Sequence, residues 1–216
     1  MIEQKENSVT IQFIKTNVAP IVWKHDIRGN KIPIHFRWNQ VVNEVAFTRY
    51  KQAVDLLQKD LEVGRKVIAI ADRKDLLERL LNKFQASSFQ IAYLHGNLNG
   101  TDRATILDKI KVGNVDLLLS TKLLECMVEM QGCNIVKDPL STWFDTVHIL
   151  TPTVASFERR CLLPDPMRIR KIVKHLEPIK KDTLVRYYVD NHPWLESCAF
   201  KNKNIARKNG WKVKDV

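Results

Sequence analysis

Three short runs constrain the fold more than any other part of the chain. KVIAIA (66–71), VDLLLS (115–120) and DTVHIL (145–150) are strand-length stretches with almost no polar interruption. A strand with one wet face alternates apolar and polar residues, whereas a strand covered on both faces does not. Between and around these runs lie segments with helical spacing. Asp72 to Phe84 places Leu76, Leu77, Leu80, Leu81 and Phe84 on one face, and Thr101 to Lys111 does the same with Ile106, Leu107 and Ile110. QIAYLH (90–95), closed by Gly96, and LVRYYVD, beginning at Leu184, read as two further strands. Buried strands alternating with amphipathic helices predict an α/β fold: a doubly wound, mostly parallel sheet of about five or six strands joined by right-handed crossovers.

The flanks read differently. Val9 to Phe36 contains VTIQFIK, IVWK and KIPIHF, with a turn at Arg28-Gly29-Asn30 and a proline, Pro33, suited to an edge position. Residues 1–38 are therefore expected to form an N-terminal β extension, and residues 39–216 the main lobe. A helix capped by Asn39 should carry Val41, Val45, Ala53, Val54, Leu57 and Leu61 on one face and end at Gly64. Thr121 to Met130 reads as helical. Trp194 to Asn209 closes the chain as a basic helix bearing Lys201, Lys203, Arg207 and Lys208, a placement that suits the helix dipole as well as a phosphate.

Several chemistries are excluded by what is missing. The sequence holds no G-x-x-x-x-G-K-[ST] phosphate loop, no G-x-G-x-x-G after a strand, and no D-E-x-H box. H-E-x-x-H and G-x-S-x-G are missing too. Cys126, Cys133, Cys161 and Cys198 have neither C-x-x-C nor zinc-finger spacing and read as free thiols. MIEQKENSVT has no apolar core of a secretory signal, and no run approaches the length of a membrane span. The expected setting is intracellular, cytoplasmic or nuclear, or packaged in a virion, with no membrane partner. The net charge of +11 is concentrated late: Ser156 to Val216 holds 15 Lys and Arg against 7 Asp and Glu, a surplus of 8. Such a surface attracts phosphate backbones by counterion release.

From Lys66 onward the order of elements resembles the C-terminal RecA-like lobe of superfamily 2 helicases, over roughly residues 40 to 212. GRKVIAIADRKDLLERLLNKF is similar to the segment in which a strand delivers a polar turn, here Asp72-Arg73-Lys74, to the nucleic-acid backbone. IAYLHGNLNGTDRATILDKIKVGNVDLLLST resembles the next strand, turn, arginine-bearing helix and strand, with His95-Gly96, Arg103 and Ser120-Thr121 in the matching places. FDTVHILTPT and the tail LVRYYVDNHPWLESCAFKNKNIARKNGWKV look like the last two strands and the final helix, and VTIQFIKTNVAPIVWK like the strand pair that enters the lobe. The likeness leans toward helicases of large DNA viruses and phages.

The resemblance implies a nucleic-acid-binding lobe for DNA or RNA, with Asp72, Arg73, Lys74, His95, Arg103, Ser120, Thr121, Arg159, Arg160, Lys201, Lys203, Arg207 and Lys208 as candidate contacts. It implies no cofactor within this chain, ATP and magnesium entering only with a first helicase lobe supplied by a partner. Two departures weaken the catalytic part. The family has a glycine and an acidic residue where this chain has Val128 and Met130, and Gly132 restores the glycine only after a four-residue shift. The family's arginine-finger helix, Ser-x-x-Gln-x-x-Gly-Arg-x-x-Arg, reads SFERRCLLPDP from Ser156, so Arg159, Leu162, Leu163 and Pro166 replace its diagnostic residues. Leucine cannot stabilise charge on a transferring phosphoryl group. Arg168 and Arg170 remain as finger candidates beyond two prolines.

Each motif also has a plainer reading. Asp72-Arg73-Lys74 and Ser120-Thr121 serve equally as helix caps, His95 as a turn residue, and Arg103 as a surface charge. Arg159 and Arg160 form a basic rim or pair with Glu158 and Asp165. Three functions follow: a non-catalytic, pseudo-helicase nucleic-acid module; the second lobe of an active helicase completed by another chain; or a structural subunit of a viral or transcription assembly.

Overall fold

The computed structural model describes residues 9–16, 23–25, 27–29, 31–33, 38–71, 74–121, 144–150, 182–191, 193–208 and 210–216. In chain order its elements are β1 (Val9–Thr16), β2 (Trp23–His25), β3 (Lys31–Pro33), α1 (Trp38–Glu62), β4 (Val67–Ile70), α2 (Lys74–Phe84), β5 (Ile91–Leu94), α3 (Gly100–Lys111), β6 (Leu117–Ser120), β7 (Thr146–Ile149), β8 (Thr183–Asp190), α4 (Pro193–Lys208) and β9 (Lys212–Asp215).

Seven strands form one sheet in the order β5-β6-β4-β7-β8-β1-β9, and every pairing within it is parallel. The unbroken apolar runs are the fully buried strands: every residue of β4, β6, β7 and β8 is buried. Period-two alternation divides their side chains between two cores. On one face Ile68, Ile70, Leu94, Leu118, Val147, Val185 and Tyr187 meet Ile110 of α3 and Ala199 and Ala206 of α4. On the other, Val67, Ala69, Leu117, Leu119 and Tyr188 meet Ala53, Val54, Leu57 and Leu61 of α1 and Leu76, Leu77, Leu80 and Phe84 of α2. Helices cover both faces, as the doubly wound reading requires.

Local chemistry sets the ends. Asn99 caps α3, its side chain accepting a hydrogen bond from the Asp102 N–H at 2.8 Å. Gly64 and Gly113 stop α1 and α3 at φ near +80° and +76°, a region closed to most side chains. Pro193 takes the first position of α4, where its missing N–H costs nothing.

Four expectations change. The sheet has seven strands rather than five or six. The boundary at residue 38 does not separate a β extension from the lobe, because β1 lies inside the sheet between β8 and β9; only β2 and β3 pair apart, antiparallel around Gly29. Asn39 is not the cap of α1, since the helix already includes Trp38. The chain does not close on a helix: after Trp211, β9 adds a parallel edge strand. The helix expected over Thr121 to Met130 lies outside the described residues.

Candidate nucleic-acid interface

Ligands of parallel α/β sheets gather beyond the carboxyl ends of the strands. The strand order brings three such ends together. Ile70 of β4, Ser120 of β6 and Leu94 of β5 stand in one row, with β6 in the middle. The row is tied one residue further out: the Ala71 N–H donates to the Ser120 carbonyl at 3.1 Å, and the Thr121 N–H donates to the Leu94 carbonyl at 3.2 Å. Lys74, His95-Gly96 and Ser120-Thr121, separated by up to 47 positions in sequence, therefore share one edge of the sheet.

Lys74 is half-buried at the first position of α2. A cation at a helix N-terminus opposes the macrodipole, so its position is not explained by helix stability; an anion in front of it would satisfy both. Lys74 lies close enough to disfavour protonation of His95. Burial lowers the His95 pKa first, the Lys74 charge adds to this, and Glu78 only partly opposes it. The imidazole is accordingly neutral at pH 7. Its Nδ1 accepts from the Asn97 N–H at 3.3 Å, which leaves the proton on Nε2 as a donor. The Tyr93 ring lies 4.5 Å away, centroid to centroid. Thr121 is half-buried at the tip of β6.

Other candidates are spent on the fold. Ser120 is fully buried and its hydroxyl donates to the Thr121 carbonyl at 3.0 Å, so it orients the strand end and offers nothing to a ligand. Arg103 points back rather than out: its Nη2 donates to the Leu98 carbonyl at 3.0 Å, pinning the loop after β5 to α3. Lys203 pairs with Asp215, and its Nζ sits 5.1 Å from the centre of the Phe13 ring. Lys201, Arg207 and Lys208 are exposed, but they lie on α4, beyond β7 and β8 from the strand-end cluster. Asp72, Arg73, Arg159, Arg160, Arg168 and Arg170 lie outside the described residues.

Sequence reasoning missed a polar layer between α1 and the sheet. Arg186 of β8 donates through Nε and Nη2 to both oxygens of Asp60 on α1, each at 2.6 Å, and through Nη1 to Gln12 of β1 at 2.5 Å. His148 of β7 bridges Asp60, at 2.8 Å from Nε2, and the Tyr188 hydroxyl, at 3.0 Å from Nδ1. One end of the layer is closed by Arg49, which binds Asp190 through Nε at 2.9 Å and through Nη2, while Thr16 donates to the same carboxylate at 2.6 Å. Burial by itself would raise the Asp60 pKa, but the hydrogen bonds from Arg186 and His148, together with the Arg186 charge, outweigh it and hold the group at about 2. Burial keeps His148 neutral against the pull of Asp60. The available signal was an arginine and a histidine interrupting otherwise apolar strands, each of which demands a buried partner.

Among the described residues no group of three His, Cys, Asp or Glu side chains could hold a metal, and no helix is long and apolar enough to cross a membrane.

A buried parallel sheet with helices on both faces, entered by β1 and closed by α4 and β9, has the RecA-like α/β fold that matches helicase C-terminal domains. The family model described as helicase conserved C-terminal domain matches residues 48–143. Among curated proteins, the ATP-dependent RNA helicase eIF4A of Lodderomyces elongisporus is 27% identical over 128 residues, 59% of this chain and 31% of that protein. This chain thus spans less than a third of that relative's length. The solved C-terminal domain of the DEAD-box protein Dbp5 superposes with a TM-score of 0.61 at 12% identity, covering 98% of this chain and 90% of that domain. T4 UvsW gives 0.60 at 9% identity, covering 98% and 42%. At these identities the structural likeness speaks for the fold alone.

Proposed function

We propose that this lobe holds a nucleic-acid backbone across the carboxyl ends of β4, β6 and β5, and that it is non-catalytic by itself, acting with an ATP-binding lobe supplied by a partner. The observation that carries this reading is the convergence of Lys74, the His95 Nε2 donor and Thr121 on one sheet edge, beside a helix N-terminus. Together they offer a cation, neutral donors and a helix dipole, which suit a phosphate and read no base. A solved structure of S. cerevisiae Dbp5, similar in fold with a TM-score of 0.57, is bound to RNA and ADP BeF3. ATP and magnesium would be held mainly by a first helicase lobe, because residues 1–216 contain no phosphate loop to cradle them.

The test is binding of fluorescent single-stranded DNA and RNA by the purified chain, followed by anisotropy across a salt series. Affinity should be independent of sequence, should fall steeply with salt, and should drop for Lys74→Glu. The chain alone should release no phosphate from ATP. Absence of binding at low salt defeats the proposal. The resemblance also supports a second reading, in which the pair of lobes is an active helicase. Nucleic-acid-stimulated hydrolysis on adding a first helicase lobe, lost with Arg168→Ala or Arg170→Ala, selects that reading over the non-catalytic one.

A further inference from the structure

The outward face of α4 carries an aromatic residue that nothing in the fold needs. Phe200 is 61% exposed, the only aromatic among the large exposed hydrophobic residues described. It stands at the rim of a cleft of about 500 Å3 at the carboxyl ends of β1 and β8, where Phe13 and Val189 form the floor. That volume falls in the range of small-ligand sites.

The polar groups of the cleft divide by their commitments. Thr16 is bound to Asp190, Asp190 is also bound to Arg49, and Lys203 is paired with Asp215. These groups are wall. Asn191, Glu196 and Lys15 also line the cleft and are exposed. An amide and a carboxylate beside an open aromatic face offer a donor and acceptors to the edge of a flat ring stacked on that face. Outside the cleft, exposed Lys201, Arg207 and Lys208 continue along α4, with Lys212 in the strand that follows. The helix dipole accounts for Arg207 and Lys208 in the last turn, but not for Lys201 or Lys212.

We propose that α4 and this cleft form a second contact for a single-stranded polynucleotide. One unstacked base lies on Phe200 with its edge toward Asn191 and Glu196, and the backbone follows Lys15, Lys201, Arg207 and Lys208. The inference rests on the nucleic-acid reading above but uses a separate surface, across the sheet from the β5-β6-β4 edge. Glu196 favours a nucleic acid over an acidic peptide: it repels a carboxylate and accepts from a base amine.

The probe is a single-stranded oligonucleotide carrying 2-aminopurine, whose fluorescence is quenched on stacking. Binding to the wild-type chain should quench it. Phe200→Ala should abolish the protein-dependent quench and weaken binding roughly tenfold, while Phe200→Tyr should preserve both, since a stacked base is worth about that factor. Because the side chain is exposed, thermal unfolding of both variants should match wild type. An unchanged quench in Phe200→Ala overturns the proposal, as does polyglutamate competing as well as the oligonucleotide. Loss of binding in Lys74→Glu with no effect of any α4 variant defeats this inference and leaves the strand-end interface standing. A wild-type chain that binds no oligonucleotide at low salt defeats both.

Discussion

The side chains that decide how this lobe responds to its surroundings are the ionisable ones it buries. Asp60, Arg186 and His148 lie between α1 and the sheet with almost no exposure; Arg186 compensates the Asp60 charge, and the neutral His148 is hydrogen-bonded to the same carboxylate. Removing one partner of such a set leaves an unpaired buried charge, commonly at a cost of about 3–5 kcal/mol. Asp60→Asn and Arg186→Met should each lower stability by about that amount in urea titrations. The double variant Asp60→Leu/Arg186→Met should lose less than the sum of the two single losses. The layer also sets a pH response. Folded His148 resists protonation because it is buried, whereas in the unfolded chain it takes up a proton near pH 6.5. The unfolded state therefore binds more protons as pH falls below about 6.5, and stability must decline there, by at most about 1.4 kcal/mol per pH unit for one group. Asp60 acts lower: its depressed pKa stabilises the fold above its unfolded value of 3.8, and that gain disappears as pH falls toward 2. Melting temperatures measured from pH 7.5 to 5 should fall, and less so in His148→Gln. A wild-type curve flat across that window would contradict the assignment of a neutral buried imidazole.

At the level of elements, what the sequence could reveal follows from whether an element's signal is local. The strands β4, β6 and β7 and the helices α2 and α3 announce themselves through period and burial, because their own side chains fill the core. The edge strand β9 does not: KVKD alternates charge with a single valine and reads as a solvated tail, although Trp211 just before it is buried and Val213 packs on the core. Lysines on such an edge also discourage pairing with another chain. The membership of β1 in the sheet was equally hidden, since VTIQFIK shows a strand but not its neighbours, which lie some 170 to 200 positions away. A separation of 126 positions concealed the pairing of Asp60 with Arg186 in the same way. At the candidate site, the motif order placed the strand ends correctly, but no motif tells that Ser120 is sealed beneath Thr121 or that Arg103 faces inward. The anchoring of β9 has a consequence that can be measured. Trp211→Ala removes a buried core side chain immediately before that strand, and large aromatic-to-alanine changes in cores cost about 3–5 kcal/mol. Equilibrium unfolding should show a loss in that range, and protection of the β1 amides facing β9 should fall in hydrogen exchange while that of β4 and β6 persists.

For the molecule as a whole, a net charge of +11 makes binding to any polyanion favourable at low salt, so affinity alone cannot locate an interface. The salt dependence can. Each phosphate neutralised on a single strand contributes about 0.7 to the slope of log K against log salt. A cation that merely adds to the general field changes affinity through long-range steering, which salt screens within about 10 Å. A cation in contact changes the number of counterions released. The strand-end cluster offers Lys74, whereas α4 offers Lys201, Arg207 and Lys208, none of them in an ion pair among the described residues. If both surfaces touch the backbone, neutralising the three α4 cations to glutamine should reduce the slope by about 2, from three lost contacts at 0.7 each, while Lys74→Gln should reduce it by about 0.7. The two effects should add, because the surfaces lie at different parts of the sheet and share no side chain. A triple variant that binds more weakly at low salt but keeps the wild-type slope would show its three cations to be a solvated helix face, and would confine the contact to the ends of β4, β5 and β6.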